Sequence, residues 1–146
     1  LQNWEELKRK EKHQETAADS VDSVARSLPG LWRAEKIQKK ARKAGFDWPD
    51  VSGALDKLSE EVEELRTAVA EGSNIQEELG DLLFAAVNVS RFVQVDPEDA
   101  LSGACDKFAR RFRQVEQSAA ERGQALEHMT LAEMDKLWDA AKEHEA

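Results

Sequence analysis

Two acidic clusters stand out in this chain, Glu60-Glu61-Val62-Glu63-Glu64 and Glu77-Glu78-Leu79-Gly80-Asp81. They contain the pairs Glu61/Glu64 and Glu78/Asp81, each spaced i, i+3. On a helix that spacing sets two carboxylates one turn apart on the same face. Glu71-Gly72-Ser73-Asn74 lies between the clusters and reads as a turn, with Gly and Asn as its breakers. Two helices folded back at that turn would bring four carboxylates together. Hard divalent cations take oxygen donors of this kind. A cation at an all-carboxylate site most often serves phosphate chemistry.

Glutamates on helices usually form a solvated face. The phase of these acids differs. Leu58 and Leu65 bracket Glu61 at i, i+3, i+7, so Glu61 falls within an apolar stripe. Glu78, Asp81, Ala85, Asn88 and Phe92 form one stripe of the next helix. Ile75, Leu79, Leu82, Ala86, Val89 and Val93 form the apolar stripe beside it. The acids therefore border the expected core. Buried carboxylates are costly without a partner, so something cationic should meet them. The levels agree as well. Glu64 and Glu78 lie roughly 12 and 9 Å from Gly72, and Glu61 and Asp81 roughly 16 and 13 Å, at the rise of an α-helix.

Candidate cations lie near this pattern and farther along the chain. Lys57 precedes Glu61 by one turn and shares its side, although a plain surface lysine would read the same. Lys107 and Arg111 are one turn apart and could face a phosphate together; Arg offers a planar fork suited to phosphate oxygens. The alternative is an exposed basic edge paired with Glu116 or another acid. Trp32, Trp48 and Trp138 have the shape to stack on a base, but tryptophans more often fill a core. His13, His128 and His144 are scattered, and none stands in the Glu-x-x-His spacing of di-iron bundles. No Walker-type glycine loop is present, and no Ser-His-Asp or Cys-His arrangement is suggested. Cys105 reads as a small buried apolar residue on the core side of its helix.

The elements that must position these residues all read as helices. The spacing predicts helices over about 29–44, 49–70, 74–94, 96–122 and 130–144. The three prolines, Pro29, Pro49 and Pro97, stand where helices begin, where their missing N–H costs nothing. Gly45 and Gly123 mark helix ends. Thr130-Leu131-Ala132-Glu133 matches a capping box. Residues 1–15 read as a charged helical segment and 16–26 as a linker. No run shows the alternation of a strand. The expected fold is all-α.

Composition narrows the function classes. The 146 residues can build a compact domain with its own core. The 21 basic and 30 acidic residues give a formal charge of −9, which disfavours nonspecific binding to nucleic acid or an anionic membrane. An acidic protein that handles a polyanion needs a metal as a bridge. Cys105 is the sole cysteine, so no internal disulfide can form, and a reducing, cytoplasmic setting is expected. No apolar run reaches the length of a membrane span, and no secretory signal is visible.

At this point the chain resembles a known family. The motif Glu-Glu-x-x-Glu at 60–64 followed by Glu-x-x-Asp at 78–81 is similar to the signature of the MazG nucleoside triphosphate pyrophosphohydrolases. Lys36-Ile37-Gln38-Lys39, Gly45-Phe46-Asp47-Trp48, Gly80-Asp81-Leu82-Leu83-Phe84 and Lys107-Phe108-Ala109-Arg110-Arg111-Phe112 strengthen the match. The resemblance covers about residues 27–143 and points to the C-terminal half of the two-domain MazG proteins. Residues 1–26 would then be the tail of a preceding domain and its linker, in keeping with a first residue that is Leu1 rather than Met. Residues 27–146 would be the catalytic domain.

The resemblance implies a helical hairpin that completes a four-helix-bundle core by forming a homodimer. It implies Mg²⁺-dependent hydrolysis of a nucleoside triphosphate to the monophosphate and pyrophosphate, with Mn²⁺ as a substitute cation, and a role in clearing non-standard or excess nucleotides. By motif position the metal ligands would be Glu61, Glu64, Glu78 and Asp81. Lys57, Lys107 and Arg111 would contact phosphates, and Trp138 the nucleotide. Glu60 and Glu77 are candidates for the carboxylate that orients or deprotonates the attacking water. No nucleic acid or membrane is expected as a partner. The competing reading is a non-catalytic helical interaction domain with an acidic face.

Overall fold

The computed structural model describes Trp4 and residues 16–145, so the predicted helical segment 1–15 lies, apart from Trp4, outside the described residues. Every extended regular element among them is helical: α1 (Ala17–Asp22), α2 (Gly30–Lys43), α3 (Val51–Glu71), α4 (Ile75–Phe92), α5 (Pro97–Glu121), a 3-10 turn (Leu126–His128) and α6 (Leu131–His144). The all-α expectation holds. Helix ends fall within about two residues of those read from the sequence, an ordinary scatter for helix termini. None of the described helices is long and apolar enough to cross a membrane.

Residues 16–26, expected as a linker, contain a short helix, Ala17–Asp22. Its cause is local: Thr16 and Asp19 cap each other reciprocally, Asp19 N donating to Thr16 Oγ1 at 3.0 Å and Thr16 N to Asp19 Oδ2 at 3.2 Å.

The described chain divides into two compact units, with the boundary between Glu98 and Asp99. In the first unit α3 and α4 form an antiparallel hairpin, α2 lies on α4, and α1 lies on α2. Small side chains set the close approach: Ala54 and Ala68 on α3 and Ala85 on α4 are all buried, together with Val87. Gln38 on α2 is buried too, and its Nε2 donates to the Phe84 carbonyl of α4 at 2.9 Å. Trp32 Nε1 donates to Asp96 Oδ1 at 3.0 Å, which ties α2 to the residues before α5.

The apolar stripe expected beside the acids of α4 is largely open. Ile75, Leu79 and Val93 are exposed, while Leu82 and Val89 are half-buried. Periodicity identifies an apolar stripe but not what covers it, and α3 covers one face of α4 only.

The second unit is built on Val115, Ala119 and Leu137, with Leu126, Met129 and Trp138 packed against them. Thr130 and Glu133 form the predicted capping box, Glu133 N donating to Thr130 Oγ1 at 3.2 Å. Cys105 is exposed, not buried as expected. Leu101 on the same stretch is exposed too, and Phe108 is covered only in part.

Candidate active site

The hairpin places the acids by a short chain of local causes. Asp50 caps α3, accepting from Ser52 N at 2.9 Å and from the Ser52 hydroxyl. Those bonds hold its carboxyl below the usual carboxylate range. From that cap, Lys57, Glu61 and Glu64 follow on successive turns of α3. Gly72 ends the helix in the left-handed region at φ +68°, and Asn74 repeats that conformation at φ +57° before α4 begins. Glycine adopts it freely, and Asn is among the few other residues that tolerate it. The chain therefore reverses within three residues, 72–74.

This reversal brings Glu61, Glu78 and Asp81 together. One carboxylate oxygen of each lies within 4.8 Å of the other two. Glu61 is buried at 7% exposure, Glu78 is half-buried, and Asp81 is exposed. The crowding registers in Glu78. Desolvation pushes its carboxyl above the ordinary value, and the charges of Glu64, Asp81, Glu61 and Glu77 push it further. Glu64 does not join the converging oxygens; it is exposed, and its charge acts on Glu78 from nearby.

Lys57 answers part of that charge. Its Nζ sits 3.0 Å from Glu61 Oε1 and 3.4 Å from Glu60 Oε1. Hydrogen bonds to Glu61 and then Glu60 raise the lysine's own pKa. Glu60 is otherwise exposed, as is Glu77 on the first turn of α4. Converging oxygen donors with one ammonium between several carboxylates fit a hard divalent cation, which prefers such donors and would relieve the repulsion.

Lys107, Arg111 and Trp138 lie in the second unit. Arg111 Nε donates to Glu145 Oε2 at 2.8 Å, and its guanidinium carbon lies 5.8 Å from the centre of the Trp138 ring. Trp138 also packs on Phe108, ring centres 5.2 Å apart. Arg111 and Trp138 are thus neighbours, and the Arg111 partner is Glu145 rather than Glu116. Lys107 is exposed one turn before Arg111.

A second cluster in the first unit gathers residues of the Gly45-Phe46-Asp47-Trp48 motif around Arg91, which the sequence reading did not single out. Gly45, at φ +89°, turns the chain after α2 and delivers Asp47 to Arg91 of α4. Arg91 Nη1 donates to Asp47 Oδ2 at 2.9 Å and Nη2 to Asp47 Oδ1, while Nη2 also reaches Asn88 Oδ1 at 2.7 Å. The Arg91 bonds hold the Asp47 carboxyl below its ordinary value. These residues wall a recess of about 450 Å³ together with Phe46, Trp48 and Phe84. Trp48 lies against Gly53 so closely that a Cβ there would sit 2.9 Å from its ring. The available signals were that motif and the stripe that carries Asn88 two turns beyond Asp81 on the same face.

Comparison with known proteins bears on the same residues. Residues 50–116 match the MazG nucleotide pyrophosphohydrolase domain. The MazG match takes in both acidic motifs, Lys57, Lys107 and Arg111, and stops before Trp138. Over 149 aligned residues the chain is 41% identical to a protein of Escherichia coli K12 named nucleoside triphosphate pyrophosphohydrolase, covering 99% of this chain and 57% of that one. It is 39% identical over 139 residues to the nucleoside triphosphate pyrophosphohydrolase/pyrophosphatase MazG of Thermotoga maritima, covering 95% and 54%. It is 49% identical over 148 residues to YabN of Bacillus subtilis, an uncharacterized protein, covering 99% and 30%. The chain spans little more than half the length of the first two relatives.

Proposed function

We propose that the chain is a divalent-cation-dependent nucleoside triphosphate pyrophosphohydrolase. The observation that carries this reading is the convergence of Glu61, Glu78 and Asp81 on one point of the hairpin. The MazG match over these acids supports it, as do the names of the two similar hydrolases. The proposed reaction is attack of water on the α-phosphorus with loss of pyrophosphate, leaving the nucleoside monophosphate.

Glu61, Glu78 and Asp81, with Glu64 beside them, are the proposed holders of Mg²⁺ or Mn²⁺. When bound, the cation supplies neutralisation of phosphate charge and a lowered pKa for nearby water. Lys57 is placed to exchange its carboxylate partner for a phosphate oxygen when the cation takes over Glu61. Glu60 and Glu77 are the proposed candidates for orienting or deprotonating the attacking water, each exposed and next to a ligand in sequence. On the second unit Lys107 and Arg111 are the proposed phosphate-binding cations and Trp138 the proposed nucleotide contact. The recess between Phe46, Trp48 and Phe84 offers apolar walls to a base. The exposed stripe of Ile75, Leu79 and Leu83 supports a homodimer as the working state. Clearance of non-standard or excess nucleotides is the proposed role, in a cytoplasmic setting.

The test is pyrophosphate release from a panel of nucleoside triphosphates with and without Mg²⁺, with products followed by phosphorus NMR. Orthophosphate as the first product, or no turnover with any cation, would overturn the reading in favour of a non-catalytic interaction domain.

A further inference from the structure

The basic charge of this acidic chain is unevenly placed. Six of its 21 basic residues fall within the fourteen residues of α2, whose one acid is Glu35. Four of them, Lys36, Lys39, Lys40 and Lys43, are spaced i, i+3, i+4, i+7 and so share one face. That face lines a second recess of about 450 Å³ in the first unit, closed by the chain between α1 and α2 from Ser23 to Leu28. Lys39 is tied to Glu35 at 3.2 Å. Lys36, Lys40 and Lys43 pair with no carboxylate among the described residues.

Like charges at these spacings destabilise a helix, by about 0.2–0.5 kcal/mol per pair. The negative end of the helix dipole explains basic residues in the last turn, where Lys40, Arg42 and Lys43 stand. It explains neither Lys36 and Lys39 nor the alignment of four lysines along one recess. A solvated basic face would need no concavity.

We propose that this recess is an anion site for a compact oligophosphate, separate from the carboxylate cluster and independent of any metal. Several lysines along one recess suit a ligand with several closely spaced negative charges, since flexible lysine stems can bring their ammoniums to phosphate oxygens as charge-assisted hydrogen bonds. The size of the ligand follows from the rest of the chain. A long polyanion such as nucleic acid would run off the patch onto a surface that brings the formal charge to −9. A short phosphate chain stays within the recess. The shared chemistry is two or more linked phosphates, whether inorganic or carried by a nucleotide.

The site owes nothing to the hydrolase reading and is tested apart from it. Binding of inorganic tripolyphosphate and of ATP is measured by calorimetry in excess EDTA, where cation-bridged binding to the carboxylates is silent. The wild-type chain should bind tripolyphosphate saturably and lose affinity as salt rises. A Lys36→Gln/Lys40→Gln/Lys43→Gln variant should bind at least about tenfold more weakly, the loss expected for charge-assisted contacts. The single Lys40→Glu change should weaken binding in the same direction with less demand on the helix. Arg66→Gln, which removes one exposed positive charge elsewhere on the first unit, should bind as the wild type does. Equal affinity for ATP and tripolyphosphate would mean that the phosphates alone are read. Tighter ATP would mean that the apolar floor near Val24 and Leu28 takes the nucleoside as well. Either no saturable binding in EDTA or an unchanged lysine triple variant would overturn the proposal.

Discussion

The ammonium of Lys57 lies 3.0 Å from the Oε1 of Glu61, the buried carboxylate of the cluster. The lysine therefore occupies the charge that a cation would claim. Lys57→Met should raise the affinity for Mg²⁺ by about two- to fivefold in the absence of substrate, a modest gain because the lysine is 41% exposed and solvent screens it. The same variant should lose about tenfold in kcat/KM if the freed ammonium goes to phosphate. Magnesium calorimetry beside steady-state kinetics separates the two effects. Unchanged or weaker Mg²⁺ binding would show that Lys57 and the cation do not compete.

Crowding at Glu78 gives a second expectation. Its raised pKa marks a carboxylate held in an unfavourable place by the fold. Glu78→Gln should raise the melting temperature of the metal-free protein at neutral pH. Mg²⁺ should raise the melting temperature of the wild type but not of this variant. Thermal melts with EDTA and with Mg²⁺ check both statements. A variant that is less stable than the wild type in EDTA would mean that the glutamate contributes some other contact.

The Asp47–Arg91 pair should behave oppositely with pH. The Arg91 side chain is 5% exposed and that of Asp47 13%. Breaking such a pair by Asp47→Asn should cost about 3–5 kcal/mol, because Arg91 is left buried without its counter-charge. The folded pKa of Asp47 lies below its unfolded value of 3.8. Its contribution is therefore present above that value and lost as pH falls through the folded pKa. Denaturant melts from neutral pH down into that acid range should show the gap between wild type and Asp47→Asn closing. A gap that stays constant would assign the loss to packing.

On the second unit, Arg111→Ala should lower kcat/KM about ten- to a hundredfold with little change in Mg²⁺ affinity. Arg111→Lys should rescue only in part, since lysine cannot offer a two-pronged contact. Glu145→Gln removes the structural partner of Arg111 and leaves the guanidinium, so it should cost much less. If Arg111→Ala and Glu145→Gln cost the same, the pair is a structural tie and the phosphate cations lie elsewhere.

Local rules made much of this molecule legible. The phase of Glu61 between Leu58 and Leu65 pointed to burial because helical periodicity is set by the backbone. The Gly72–Asn74 turn and the Thr130–Glu133 cap could be read because their partners are within a few residues. Contacts between distant segments were not legible. Asp47 and Arg91 are 44 residues apart, and their meeting depends on the left-handed turn at Gly45 and on α2 lying on α4. Nor could the pattern say whether a stripe is covered. Leu79 and Cys105 both carried the marks of a core and both are exposed. Glu64 shared the spacing of its neighbours, yet its carboxylate stays in solvent.

The three-residue reversal at 72–74 has a consequence for how this hairpin can change. One residue added there would rotate α4 by about 100° relative to α3. Glu78 and Asp81 would swing away from Glu61. A surface loop usually absorbs insertions at little cost. This one acts as the spacer that sets the two halves of the site in step, so its length should tolerate less drift than its exposed residues suggest.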